Sequence, residues 1–238
     1  MEKKSGLMEI KKGQTGRGLL VEQDGYISMT EGRNKNLYEA IKADTTEGFH
    51  CPYPFVLDAL FQKHSIENHN GRIYPKEILE REVERFQVKI NEKRAYGELN
   101  HPDDSVVDLG RVAMNIIELH WEQHSLVGKL EIITSEGFRR TGICSTMGDQ
   151  AANLLLNGLK IGISSRAVGS VEQRFGKMIV GDDLELITWD LVSDPSTPNA
   201  WLSEDPKEIA MYVENKNKEG EALLENLSKF NDWLKLND

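Results

Sequence analysis

Cysteine, proline and aromatic residues are all scarce: two cysteines, seven prolines and 7% aromatic residues in 238 positions. Cys51 and Cys144 match no CxxC pair and no Cys/His zinc spacing. Two isolated cysteines predict free thiols in a reducing compartment, not a disulfide scaffold. Positive charge is also in deficit, with 29 Lys and Arg against 39 Asp and Glu, a net charge of −10. Duplex DNA and anionic membranes both need a basic face, so direct nucleic-acid binding and membrane binding are not expected. No apolar run approaches a membrane span. The first residues carry charge but no apolar signal-peptide core, so a cytoplasmic location is expected. Repeats and low-complexity tracts are missing too. What is there is globular in composition, 39% hydrophobic and 29% charged, and long enough to bury a core without staples.

Residues 1–50 are polar and punctuated by Gly25, Gly32 and Gly48, and read as a leader or partly flexible N-terminal segment. Pro54–Phe61 is apolar but short, and both strand and helix stay open. Asn70-Gly71 is a turn dipeptide, and Pro75 suits a helix start. Ile78, Leu79, Val83, Phe86 and Ile90 then recur at helical spacing, which predicts an amphipathic helix over 75–90. Ala95–Pro102 reads as a short strand running into a Pro-broken loop. Val112–Trp121 and Ser125–Ile133 predict two strands joined by a polar turn. Ala151–Leu156 predicts a helix that Asn157-Gly158 stops. Leu159–Ser165 and Gly181–Val192 predict further strands. From Ser203 the composition shifts, and Leu223, Leu224, Leu227, Phe230 and Leu234 predict an acidic amphipathic helical tail over 204–238. The domain so bounded spans 51–203.

Four places offer chemistry. His120 and His124 are four apart, but Glu122 does not follow the first His as the HExxH pattern requires. Turn histidines are the plainer reading, and a metal hydrolase is the weaker one. His101 sits at a strand end ahead of Pro102, where a general base or a turn-capping histidine would sit. Ser164 and Ser165 lie in Gly162-Ile-Ser-Ser-Arg166, which reads as strand serines or as a nucleophile with local donors. It is not the GxSxG elbow. Asp190 lies in an apolar strand, where alternation sets Trp189 and Leu191 on one face and Asp190 on the other. A buried carboxylate there needs a partner. A histidine is one natural partner, and a salt bridge to Arg or Lys is the other.

Taken in order, Asn70-Gly-Arg-Ile-Tyr-Pro75, Gly97-Glu-Leu-Asn-His-Pro102, Gly162-Ile-Ser-Ser-Arg166 and Asp190-Leu-Val with Pro195–Trp201 resemble the prohead core protein proteases of large tailed bacteriophages. The resemblance covers about residues 50–202 and implies an α+β fold. That fold is a mostly antiparallel closed β-barrel with helices around it, like the herpesvirus assemblins. It implies a serine endopeptidase without cofactor or metal. Ser164 would be the nucleophile and His101 the base. The third member departs from assemblin, which uses a second histidine; Asp190 is the replacement and Asp194 the runner-up. Backbone N–H groups near Ser164, Ser165 and Arg166 would bind the oxyanion, with or without the Arg166 side chain; Arg166 as a structural partner of Asp190 is the alternative.

The resemblance further implies cleavage after glutamate in scaffold and core proteins, in the major capsid protein precursor and in the enzyme itself. This would take place inside the prohead, in the infected bacterium. Leu37-Tyr-Glu39 before Ala40 fits as a self-cleavage site; Met29-Thr-Glu31 before Gly32 fits less well. Arg166, Arg111, Arg139 and Arg140 are the candidate cations for a glutamate pocket. A homo-oligomer is left open. The competing reading is a non-catalytic prohead scaffold or core protein with the same fold.

Overall fold

Nine strands and four α-helices follow from the chain in the computed structural model, which describes residues 8–44, 48–102 and 104–193. The chain divides into a unit of Met1–Ala200 and a second of Trp201–Asp238. The expected tail over 204–238 and Asp194 lie outside the described residues. The elements in order are β1 (Gly16–Ile27), α1 (Lys35–Ala43), β2 (Phe55–Lys63), β3 (Arg72–Ile73), α2 (Lys76–Asn91), β4 (Tyr96–Glu98) and β5 (Val112–Glu122). Then come β6 (Ser125–Ile132), α3 (Glu136–Thr141), α4 (Met147–Leu156), β7 (Ile161–Arg174), β8 (Lys177–Val180) and β9 (Glu185–Val192). No helix among the described residues is long and apolar enough to cross a membrane.

All nine strands belong to one sheet in the order β3-β8-β7-β1-β2-β6-β5-β4, with β9 also paired to β7. Every pairing is antiparallel except β3 with β8. The sheet curls until β4 meets β9, but the two share only the isolated bridge Leu99–Leu191. It is therefore a curled, open half-barrel, where a closed barrel was expected. The reason is local: β4 stops after three residues, and Asn100 turns the chain away with φ of 65°. A side chain at that φ is uncommon and ends a strand.

Residues 16–27 fall in the stretch expected as a leader. They form β1, which runs along β7 on one side and meets β2 at Tyr26 on the other. The fold thus begins upstream of residue 51, where the domain boundary was expected. Glu22 explains why β1 looked unlike a strand. Its carboxylate is fully buried. Oε1 accepts from Arg72 Nη1 at 2.5 Å and Tyr74 OH at 2.9 Å, and Oε2 accepts from Asn68 and Asn70 Nδ2 at 2.7 Å each. The Asn-x-Asn-Gly-Arg-Ile-Tyr segment is thus a clamp: the turn at Asn68–Gly71 and the short strand after it bring four side chains to one carboxylate.

The interior holds Ile27, Phe55, Phe61, Leu130, Ile163 and Trp189. From α2, Phe86 packs edge-on against Trp189 at 5.1 Å, and Phe61 meets the same indole at 5.6 Å. The predicted helix over 75–90 is α2, with Pro75 capping it rather than opening it. Helix α4 starts at Met147, earlier than the predicted Ala151, because Thr146 and Asp149 form a reciprocal capping box.

Asp149 is also an acid sensor for stability. Burial pushes its carboxyl up, but N–H and hydroxyl donors of Ser135 and Ser145 outweigh this and hold it at about 2, against 3.8 ordinarily. A carboxylate depressed by folding contributes stability that is complete above its unfolded value and drains away as pH falls through the folded one. The contribution is roughly 2 kcal/mol. Urea unfolding followed from neutral pH down through the carboxylate range should lose about that much, and Asp149→Asn should flatten that loss. An unchanged acid limb in Asp149→Asn would refute the assignment.

Candidate active site

Strand register sets the first contact. Ser164 in β7 stands directly opposite Asp190 in β9. Both are fully buried. His101 arrives from the third side, at the end of the β4 segment. Gly97 makes that approach available: a Cβ there would lie 2.4 Å from the Trp189 carbonyl oxygen. Beyond it, the Leu99 N–H bonds to the Arg111 carbonyl at 3.1 Å and the Asn100 N–H to the Leu191 carbonyl at 2.7 Å. The left-handed Asn100 then turns His101 over the β7–β9 pair.

The three side chains form one hydrogen-bonded chain. His101 Nδ1 is 3.0 Å from Asp190 Oδ2, and His101 Nε2 bonds to Ser164 Oγ. An ionised carboxylate only accepts, so Nδ1 carries the proton and Nε2 is the acceptor. Ser164 therefore donates to His101, which is the arrangement that lets imidazole take a hydroxyl proton. Asp190 Oδ1 is fixed separately by the Glu98 N–H at 3.0 Å. The two partners weighed for Asp190 from sequence, a histidine and an arginine, are both present.

Arg166 is that arginine. Its guanidinium is fully buried, with Nε 3.0 Å from Asp190 Oδ2 and Nη2 3.2 Å from Asp190 Oδ1. Nη2 also donates to Glu98 Oε1 at 2.8 Å, and Nη1 donates to the carbonyls of Asp104 at 2.8 Å and Val106 at 3.3 Å. Both of its Nη groups are thus engaged within the protein. The geometry favours the alternative weighed from sequence, a structural partner of Asp190. Ser165 projects to the opposite face of β7, across from Trp189, and its buried Oγ has no hydrogen-bond partner.

Of the other arginines, Arg111 lies beside this cluster. It donates to Glu98 Oε2 at 3.2 Å and to the Leu99 carbonyl at 2.8 Å. Arg139 instead covers the Tyr53 ring at 4.0 Å, and Arg140 pairs with Glu136 at 3.5 Å. Glu98 is the residue that sequence reading passed over, although it stands inside the quoted Gly97–Pro102 motif. Its signal was a carboxylate in a strand with no solvent-facing alternation. Counted together, Asp190 and Glu98 balance Arg166 and Arg111, which is how buried charges are tolerated.

Glu39 and Ala40 lie on α1, exposed but helical. A protease binds extended chain, so that turn must unwind before it could be cut. Glu31 pairs with Lys160 at 2.8 Å, just ahead of a short 3-10 turn. His120 lies between Glu118 at 3.3 Å and Glu122 at 3.4 Å, while His124 meets His64 edge-on at 5.0 Å. The pair faces different neighbours and does not converge. Neither cysteine forms a disulfide, and burial pushes the Cys51 thiol up to about 11, which keeps it un-ionised at neutral pH.

Comparison with known proteins adds three findings. The sequence profile described as prohead core protein serine protease matches residues 19–214. The prohead core protein protease of Enterobacteria phage T4 is 34% identical over 156 residues, which is 64% of this chain and 69% of that relative. The solved structure of the bacteriophage T4 capsid assembly protease gp21 covers 75% of this chain and 99% of its own, with a TM-score of 0.58 at 24% identity. At that identity the structural likeness bears on the fold alone.

Proposed function

This chain belongs to the prohead core protein serine protease family, and from that premise we propose that it is the serine endopeptidase of a phage prohead. The single observation that carries the mechanism is the hydrogen-bonded chain Asp190–His101–Ser164. In this reading Ser164 Oγ attacks the scissile carbonyl carbon while His101 Nε2 takes its proton. Asp190 holds the Nδ1–H tautomer and stabilises the imidazolium. His101 returns the proton to the leaving amine, and an acyl-enzyme remains on Ser164. A water, deprotonated by His101, then releases the acid product. Backbone N–H groups near Ser164–Arg166 are the proposed oxyanion donors.

The substrates on this reading are scaffold and core proteins, the major capsid protein precursor and the enzyme itself, cut after glutamate inside the prohead. Ser164 has no exposed surface and His101 is 15% exposed. A peptide carbonyl therefore reaches Ser164 only after the surroundings of the site move. The free enzyme is therefore expected to be slow, and assembly to speed it.

The test is to co-express the chain with its scaffold and capsid precursor and to map new termini by mass spectrometry. Cuts that follow glutamates are the expected result. Intact substrates inside assembled particles would overturn the reading in favour of a non-catalytic core protein.

A further inference from the structure

The buried guanidinium of Arg166 poses a difficulty for the site. A guanidinium that faces one carboxylate prefers to close on it fork to fork. Arg166 makes only half of that fork on Asp190: Nη2 donates to Oδ1 at 3.2 Å, and Nε stands 3.0 Å from Oδ2. Its Nε is aligned for no hydrogen bond. The shorter Nη2 bond, 2.8 Å, goes to Glu98 Oε1 instead. Glu98 is itself anchored, since Oε1 also accepts from the Asp108 N–H at 2.9 Å and Oε2 from Arg111 Nε at 3.2 Å.

We propose that Glu98 is a positioning residue: by sharing Arg166 Nη2 it keeps the Arg166 fork on Asp190 half-closed, and so leaves Asp190 Oδ2 to accept from His101. Glu98 touches no reacting atom on this account and acts only through Arg166. The same residue sets the far side of Asp190 with its backbone N–H. One short strand thus delivers both His101 and the carboxylate that protects its partner. The inference rests on the proposed protease reading for its kinetic arm, but not for its spectroscopic one.

The test is a double-mutant cycle in the full chain. Glu98→Gln should lower kcat by about 10²-fold with KM little changed, the scale of a displaced catalytic group. In an Arg166→Gln background nothing is left to close on Asp190. There, adding Glu98→Gln should cost nothing further. Effects that simply add would overturn the proposal, because a merely structural Glu98 would weaken either background. Glu98→Asp keeps the charge but withdraws it from Arg166 by one methylene: in protein shown by circular dichroism to be folded it should still lower kcat, and unchanged kcat would overturn the proposal. Independently of catalysis, the low-field Nδ1–H proton of His101 should be sharp in Ser164→Ala and shifted or lost when Glu98→Gln is added. An unmoved resonance sinks the role of Glu98 even if the chain proves to be no protease. Absence of cleavage with a moved resonance sinks the protease reading alone.

Discussion

Ser164→Ala should lower proteolysis by on the order of 10⁵-fold or more, whereas Ser165→Ala should stay within a few-fold of the parent. The two serines are neighbours in sequence, but β7 sends them to opposite faces. Ser164 Oγ reaches His101 Nε2; Ser165 Oγ is buried without a partner. Loss of the first hydroxyl removes the nucleophile, and no other hydroxyl stands on the imidazole to replace it among the described residues. Loss of the second removes a buried polar group that has no hydrogen bond, which is neutral or mildly stabilising for the fold. Intact mass and N-terminal mapping of concentrated protein over several days, with particles if the free enzyme is dormant, decide the matter. An inert Ser165→Ala beside an active Ser164→Ala would shift the nucleophile by one residue and break the proposed mechanism.

The sequence made the amphipathic helix at Lys76–Asn91 and the hairpin of Val112–Glu122 with Ser125–Ile132 legible, because period 3.6 and period 2 stand out wherever one face is buried. It hid β1. There the run from Glu22 to Gly25 interrupts the apolar pattern, and the register slips between those two residues. A buried carboxylate in a central strand looks like a loop until its partners, fifty residues downstream, are known. The site divides in the same way. His101, Ser164 and Asp190 could be nominated one by one from local chemistry. Their meeting could not, because it depends on which strands pair and in what register. Glu98 was lost for a related reason: charged residues in an acidic chain default to the surface, and only the fold turns this one inward. Arg166 drew attention as a donor near the serines, and its burial among Glu98, Asp190 and two carbonyls redirected that role.

Glu22→Leu should destabilise the fold by about 3–5 kcal/mol, the cost of breaking a buried ion pair from one side. The size follows from what remains. Arg72 is 2% exposed, and it would keep a full charge there with only the Ile10 carbonyl oxygen to receive it. Asn68, Asn70 and Tyr74 would each lose an acceptor, with Asn70 keeping the Val21 carbonyl. Glu22→Gln should cost less, since it keeps an acceptor oxygen and the shape while it gives up the charge. Paired Glu22→Leu with Arg72→Leu should recover part of the loss, because no buried charge then stands alone. Chemical unfolding of the four proteins measures this directly. The consequence reaches the site through one strand: Glu22 lies opposite Ser165 in the β1–β7 ladder, next to the proposed nucleophile. A loosened β1 should therefore reduce turnover along with stability, and in Glu22→Gln the two should fall together. Lost turnover at unchanged stability would instead give Glu22 a direct part in the chemistry, which its burial behind β7 does not predict.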